Sequence, residues 1–446
     1  MTHLISRSII FLVLALASYA CENEDASQAA QSNQTTFQVR KMHYPLWVRN
    51  TSILEIDVSK FTPEGTFNAI RQHLPRLKKM GIGTISFLPI YPLSISEGPN
   101  DMPNSRRVVD FTKVNPDLGT FEDFRDLTTQ IHQMSMHTIL HWVSNHTAPD
   151  HAWVDTHPEW YKTHPDKRSP ALHEETNAPG VALLDYSVGP LRNTMIESMK
   201  FWLRAGDVDG FICDDASLVP DDFWNDARPA LEQVKPVFMI ADSEKNASHF
   251  ETCFQANYAH EFSEHLANIA KGQSSLAALD EIIAKNRATS PAGYYQVNLI
   301  GNLKVDGESD NPDINVALDI IAFTQEGIPL IYNATAFELF TREDFYTKLV
   351  QLKNFNKSLW NGSYGGTMQR INAGDKIYAY SRAKDGHRVV VIVNCSNQPA
   401  TDTLTEDVFA MSALFGKDDL NIVIGTPVKL SPWEHWLFAN PSIETN

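Results

Sequence analysis

The chain has 446 residues, 43% of which are hydrophobic, and its 54 acidic against 37 basic residues give a formal net charge of −17. This length suits one large α/β domain followed by a small one and is ample for a buried core. The acidic balance argues against nucleic acid or an anionic membrane surface as a partner.

Residues 1–20 predict a signal peptide for export. A basic residue precedes an apolar run at 9–17, which is too short to span a bilayer. Cys21 follows directly, and in bacterial lipoprotein signals a cysteine at this place carries the lipid. Ser18 and Tyr19 depart from the residues usual before such a cysteine, so cleavage to a soluble exported protein stays open.

The segment that begins at Cys21 predicts a disordered tether over 21–37, because Ser, Gln, Asn and Ala dominate it. Its acidic residues Glu22, Glu24 and Asp25 are similar to the surface-export tag of lipoproteins in some bacteria with outer membranes. We therefore expect an exported lipoprotein that is lipid-anchored to the outer membrane or the cell surface.

Strand and helix patterns then alternate along the chain. The alternating segment at 52–58 predicts a first strand, and apolar residues at spacings of three and four predict a helix over 67–80 that Gly81 ends. This repeated alternation predicts an α/β fold of the (β/α)8 TIM barrel type. Further strands are predicted at 84–90, 137–143, 211–214, 237–243, 254–258, 293–299 and 328–332.

The pattern changes to strands after a helix predicted at 343–354. Strand-like runs at 376–382 and 387–395 flank the dipeptide Asp385-Gly386, which is a strong hairpin signal. Later apolar runs complete a small antiparallel domain. The predicted domains are the barrel at 38–360 and a C-terminal, β-sandwich-like domain at 361–446.

Asp214 ends the short apolar strand that follows the Asp209-Gly210 turn. A parallel barrel has its chemistry at the C-terminal ends of its strands, which would make this carboxylate functional. An Asp shortly before a helix is also a common N-cap. The residues alone leave both roles open.

Ordered segments of the chain resemble the α-amylase family of glycoside hydrolases, family 13. The resemblance implies a (β/α)8 barrel, a short loop subdomain inserted at 145–186 after strand three, and an α-glucan or maltooligosaccharide as ligand. It runs from about residue 42 to the C terminus, on PEGTF (63–67), FLPIYPL (87–93), VNPDLGTFEDF (114–124), WVSNHTAPDH (142–151), DGF (209–211), KPVFMIA (235–241), NLIGN (298–302) and GIPLIY (327–332).

The resemblance places Asp214 at the position of the nucleophile and Asp242 at that of the general acid, which is Glu in the family. The shorter side chain withdraws the proton from its required reach. Glu244 lies two residues on, on the same strand face, and is a candidate replacement. The family's third carboxylate falls on Lys304, two residues after Asn302, where a cation opposes a positively charged transition state.

Other positions of the family's site are partly changed. The family's Asp on strand three and its Arg two residues before the nucleophile are His141 and Ile212 here, and their joint loss leaves no buried charge unpaired. Arg106 stands where the family has a Tyr that stacks on the bound sugar. Asn145 and His146 are retained as substrate-binding positions.

These substitutions favour a catalytically silent barrel of carbohydrate metabolism. It would bind an α-glucan such as starch, or a protein partner in an outer-membrane glycan-uptake assembly. The alternatives are a retaining, endo-acting α-glucan hydrolase with an impaired or altered site, and unrelated chemistry in the same cleft. Trp142, Trp153, Trp160 and Tyr161 would either stack on sugar rings or pack the loop subdomain.

No cofactor and no metal site is predicted. Calcium occurs in many relatives, and Asn145 matches a ligand position in some, but the remaining ligands have no assignable place in this sequence. Cys213, Cys253 and Cys395 lack the spacing of a metal cluster or a disulfide framework, so we expect buried free thiols.

Overall fold

A closed barrel of eight parallel strands forms the first part of the fold. A computed structural model describes residues 44–94, 106–163, 180–243, 252–291, 294–301, 312–332, 335–417 and 421–440. Each barrel strand pairs with the next in chain order and the last pairs with the first, which confirms the predicted (β/α)8 barrel. The strands are β1 (Ile53–Ile56), β2 (Thr84–Phe87), β3 (His137–Val143), β4 (Gly210–Asp214), β5 (Phe238–Asp242), β6 (Ala256–Tyr258), β7 (Tyr295–Ile300) and β8 (Ile328–Tyr332).

Helices connect these strands and cover the barrel. The single helix predicted over 67–80 is wrong, because Pro75 lacks the N–H that would continue the ladder and the segment divides in two. Gly81 ends the second part with a φ of 96°, as predicted. The helices are α1 (Val58–Phe61), α2 (Phe67–Arg71), α3 (Leu74–Met80), α4 (Phe121–Gln133), α5 (Ala152–Thr156), α6 (Gly189–Arg204), α7 (Asp221–Glu232), α8 (His260–Ala270), α9 (Leu276–Thr289), α10 (Pro312–Thr324), α11 (Ala336–Thr341) and α12 (Glu343–Phe355).

The inside of the barrel changes from apolar to charged along its axis. Side chains two residues apart on a strand face the same side. The residues two positions after one inward-facing layer therefore form the next inward-facing layer, nearer the C-terminal end of the barrel. That next layer contains Glu55, His141, Asp214 and Asp242. The apolar layer beneath it includes Ile53, Ile139, Ile212 and Ile240.

The described parts of the predicted loop subdomain are 145–163 and 180–186. They contain α5 and a short antiparallel pair, His146–Thr147 with Ala182–Leu183. Trp142, Trp160 and Tyr161 are at most 6% exposed, so these rings pack in the core, the second of the two predicted roles. They are not available to stack on a sugar.

An antiparallel C-terminal region follows α12. The hairpin turn at Asp385 and Gly386 has φ values of 49° and 81°, as the predicted turn requires. Residues 42–446 form one compact unit. Among the helices that the structure describes, none has the length and apolarity needed to cross a membrane. The strands are β9 (Met368–Arg370), β10 (Ile377–Lys384), β11 (His387–Asn394), β12 (Ala400–Thr403), β13 (Ser412–Phe415), β14 (Pro427–Leu430) and β15 (His435–Asn440), in one sheet of order β9-β10-β11-β15-β13 and a pair β12-β14.

Candidate functional site

Asp214 is the last residue of β4 and lies at the C-terminal end of the barrel. It pairs in register with Val143 of β3 and Asp242 of β5, so the nucleophile and acid positions are neighbours on adjacent strands. The helix that follows has Pro220 as its N-cap residue, which excludes the capping role for Asp214. The side chain of Asp214 is 2% exposed.

His141 lies between two carboxylates in the same layer. Its Nδ1 is 3.0 Å from Oδ1 of Asp214, and its Nε2 is 2.7 Å from Oε2 of Glu55. Burial alone would lower the pKa of His141, but the two carboxylates raise it to about 10. The imidazole is therefore a cation at neutral pH.

Glu55 belongs to the same charged layer of the barrel interior as His141 and Asp214, and the sequence interpretation missed it. Besides His141 it binds the hydroxyl of Tyr258, which donates to Oε2 at 3.1 Å. The available signal was an acidic residue inside β1, a strand whose four residues are all buried. A buried charge needs a partner, so an acid in such a strand indicates a cation nearby.

Arg106 reaches both carboxylates of the predicted catalytic pair. Its Nε lies 3.7 Å from Oδ2 of Asp214 and its Nη2 lies 3.8 Å from Oδ2 of Asp242. His146 fixes the backbone there, because its Nε2 donates to the carbonyl oxygen of Arg106 at 3.1 Å. The Nδ1 of His146 contacts Oδ1 of Asn145 at 2.6 Å. Three predicted positions, Asp214, Asp242 and His146, thus contact Arg106.

The two cations keep Asp214 ionised. Burial would raise the pKa of Asp214, but His141 and then Arg106 outweigh it and hold that pKa below its usual value. The neighbouring Asp215 behaves differently, because burial raises its pKa more than Arg106 lowers it.

Asp242 is held from its other side by His260, the first residue of α8. The Nε2 of His260 lies 2.5 Å from Oδ1 of Asp242, and the His260 side chain is 48% exposed. The sequence interpretation missed this contact as well. Asp242 therefore has one oxygen facing His260 and the other facing Arg106.

The remaining predicted site residues are placed as follows. Ile212 lies in the apolar layer beneath Asp214, so the cation that the resemblance implies at position 212 is absent and His141 is the buried cation instead. Lys304 and Asn302 lie outside the described residues, as do Glu244 and Cys21. Cys213, Cys253 and Cys395 are buried free thiols, as predicted.

The described residues offer no obvious metal centre. In the part of the chain that the structure describes, no group of three or more His, Cys, Asp or Glu side chains could hold a metal ion. Asn145, the position that matches a calcium ligand in some relatives, has its side-chain oxygen against His146.

Comparison with known proteins decides the family. The family model described as the alpha-amylase catalytic domain matches residues 25–290, more than half of the chain. The chain belongs to the α-amylase family. The layer of charged residues around Asp214 lies at the C-terminal end of a barrel of this family.

Several curated α-amylase family members are similar in sequence. Alpha-amylase 3 of Dictyoglomus thermophilum is 25% identical over 325 residues, 64% of either protein. Alpha-amylase MalA of Haloarcula japonica is 23% identical over 400 residues, 80% of this chain and 57% of MalA. An alpha-1,4-glucan:maltose-1-phosphate maltosyltransferase of Rhodospirillum rubrum is 26% identical over 262 residues, 53% of this chain and 36% of that enzyme. The chain thus spans less than two thirds of each of these relatives.

Solved α-amylase structures show the same fold. The maltogenic α-amylase AmyB of Thermotoga neapolitana superposes with a TM-score of 0.74 at 22% identity, over 88% of this chain and 99% of AmyB. The α-amylase of Geobacillus thermoleovorans, solved in complex with acarbose, superposes with a TM-score of 0.73 at 19% identity, over 89% of this chain and 99% of that enzyme. At these identities the likeness is one of fold.

Proposed function

We propose that this α-amylase family barrel binds an α-glucan at its C-terminal end without hydrolysing it. The observation that carries the proposal is the position of Arg106, whose guanidinium contacts Asp214 and Asp242 at once. Support for the ligand class comes from the names of the relatives, which are amylases and α-glucan maltosyltransferases.

The contacts of Asp214 and Asp242 support the proposed absence of the retaining mechanism. A retaining glycosidase needs a free nucleophilic carboxylate and a proton-bearing acid about 5 to 5.5 Å apart, with the glycosidic bond between them. Here a guanidinium contacts both carboxylates, and both oxygens of Asp214 face cations. Asp242 also lacks the methylene that a family Glu would supply and is held by His260.

The charges also oppose the reaction. The transition state at the sugar ring is oxocarbenium-like and positive, so it is stabilised by surrounding anions. His141 and Arg106 are both cations beside the nucleophile position. Lys304, which the sequence places at the third carboxylate position, would add another.

An altered hydrolase is the second candidate, and one observation favours it. Asp214 and Asp242 are paired in register on adjacent strands, and the pKa of Asp214 is lowered, as a nucleophile requires. The side chain of Arg106 is 37% exposed, so a sugar could displace it.

Calorimetric titration with maltoheptaose, together with a reducing-end assay, tests the proposal. We expect saturable binding by the wild type and no hydrolysis that Asp214→Asn abolishes. Asp375→Asn, at an exposed position near the C-terminal sheet, is the matched control and should bind as the wild type does. Hydrolysis that is lost in Asp214→Asn but kept in Asp375→Asn would establish the second candidate instead.

We further propose that the protein acts as a lipoprotein on the outer membrane or cell surface, where it presents glucan to an uptake assembly. The Ala20-Cys21 junction and the acids that follow it support this. Replacing Cys21 by Ser should release the protein from the membrane fraction. A wild-type protein found entirely in the soluble periplasmic fraction would rule out the anchor.

A further inference from the structure

A cavity of about 230 Å³ lies on the flank of the barrel, far along the strands from the charged layer. It is bounded by α8, α9 and the first residues of β7, whereas Asp214 is the last residue of β4. Its lining includes Phe262, Ile283, Asn286, Gln296, Asn298 and Gln325.

The lining contains amides where a covered barrel has apolar side chains. Tyr295 and Val297 belong to the apolar interior cluster, so the alternate residues Gln296 and Asn298 face outward toward the helices. Outward faces of such strands are normally apolar, because helices cover them. Asn298 is fixed in place, since its Nδ2 donates to the carbonyl oxygens of Ala322 and Glu326, at 3.1 and 3.3 Å.

Gln325 adds a buried amide with unused hydrogen-bonding capacity. It is 2% exposed, and neither its Nε2 nor its Oε1 has a hydrogen-bond partner within the described chain. The hydroxyl of Tyr380 is near enough to interact with this amide, but its hydrogen bonds go to Oγ1 of Thr324 at 2.6 Å and to the carbonyl oxygen of Ile321 at 3.4 Å. A buried amide without partners is unfavourable, so a ligand that donates and accepts would stabilise it.

The charges of the lining cancel. Arg287 and Glu326 are the charged residues of the lining, and their side chains pair at 2.6 Å. Glu326 is held further by the backbone N–H of Met368 at 2.7 Å. The cavity therefore suits a neutral ligand, and Phe262 and Ile283 offer it an apolar wall.

We propose that this cavity binds one neutral sugar ring, either a free hexose or the terminal residue of an α-glucan. Hydroxyl groups donate and accept hydrogen bonds at once, as amide side chains do, and the C–H face of the ring fits an apolar wall. A cavity of about 150 Å³ holds a benzene ring. The 230 Å³ here leaves room for a six-membered ring with its hydroxyls.

Saturation-transfer NMR on the full-length protein, with glucose and with maltoheptaose as probes, tests this site. We expect saturable glucose binding with an affinity on the order of millimolar. Gln325→Leu and Ile283→Trp, which remove the amide or fill the cavity, should each weaken glucose binding at least tenfold. Gln325→Leu should keep or raise the melting temperature, because it removes an unsatisfied buried amide.

Gln233→Leu, at an exposed glutamine just after α7, is the matched control and should bind glucose as the wild type does. If both cavity variants also weaken maltoheptaose binding, glucan ends occupy the site; if they weaken glucose alone, the ligand is a free hexose. Absence of saturable glucose and maltoheptaose signals, or wild-type binding of both probes by both cavity variants, would overturn the proposal. The inference does not depend on glucan binding at the charged layer, which Arg106→Ala probes separately.

Discussion

The Nδ1 atom of His141 lies 3.0 Å from Oδ1 of Asp214, so the side chain at the nucleophile position is bound to an imidazolium of the neighbouring strand. In the family the corresponding positions hold an acid on β3 and an arginine at 212. Here the β3 position holds the cation His141, position 212 holds an isoleucine of the apolar layer, and Glu55 of β1 is the second acid beside His141. This arrangement keeps the buried charges of Glu55, His141 and Asp214 paired.

Removing the cation His141 from between Glu55 and Asp214 should destabilise the protein. His141→Gln leaves Glu55 and Asp214 buried without the charge between them, and breaking a buried pair in this way costs about 3 to 5 kcal/mol. Urea unfolding measures the loss. His157→Gln is the control, because its side chain is 44% exposed and its ion pair with Glu159 is a surface one that contributes little. Equal stability of the two variants would contradict the pairing.

His141 should also make the free energy of unfolding fall as the pH rises above neutral. The pKa of His141 is about 10 in the folded chain against 6.5 for a free imidazole, so its contribution is complete below pH 6.5 and is lost as the pH rises toward 10. Within that window the free energy of unfolding should fall by up to about 1.4 kcal/mol per pH unit.

Urea unfolding of the wild type and of His141→Gln at pH 6, 8 and 9.5 separates this effect from other groups that titrate in alkali, because those are common to both proteins. The difference between the two should shrink as the pH rises. A difference that stays constant over the window would mean that His141 is neutral in the folded state. On the acid side, Asp214 has a lowered pKa, so its contribution is lost as the pH falls below its unfolded value of about 3.9.

Much of this cluster could not be predicted from the sequence, for a physical reason. Asp214 was predictable because the end of an apolar strand is a local pattern, and the barrel followed from repeated local patterns in the same way. Asp242 was predicted from the family resemblance. Glu55 and His141 are 86 residues apart, and Glu55 and Tyr258 are 203 apart, so only closure of the barrel brings them together.

Two other differences between the sequence predictions and the structure arise within short segments of the chain. The break between α2 and α3 comes from Pro75, whose effect outweighs the regular apolar spacing on both sides of it. His260 stands at the start of α8, and no periodicity distinguishes a helix-start histidine that binds a carboxylate from one that does not. Sequence patterns therefore do not predict which side chains contact one another across a loop.

Lengthening the acid alone should not create a hydrolase. Asp242→Glu restores the reach of the proton donor, but Arg106 and Lys304 remain as cations, so we expect no release of reducing ends from maltoheptaose. Adding Arg106→Tyr and Lys304→Asp would restore the family's residues. We expect this triple variant to hydrolyse at least about 100-fold faster than the wild type, in an Asp214-dependent manner. Hydrolysis by Asp242→Glu alone would show that the cations do not silence the site.

Lys304 remains a predicted partner of Asp214. In the family the nucleophile and the third carboxylate face one another across the sugar subsite, so the sequence sets this cation opposite Asp214 and Asp242. Lys304→Met should lower the melting temperature, with a cost of about 3 to 5 kcal/mol if the pair is fully desolvated. Lys429→Met, at an exposed lysine of β14, is the control and should leave the melting temperature unchanged.

A double-mutant cycle separates the contribution of Lys304 from those of His141 and Arg106, which also face Asp214. Asp214→Asn together with Lys304→Met should recover part of the stability that Lys304→Met loses, because the anion that lacks its cation is then gone. Sites that do not touch give additive changes within about 0.5 kcal/mol. Additivity at that level would refute the pairing and leave His141 and Arg106 as the cations that neutralise the nucleophile position.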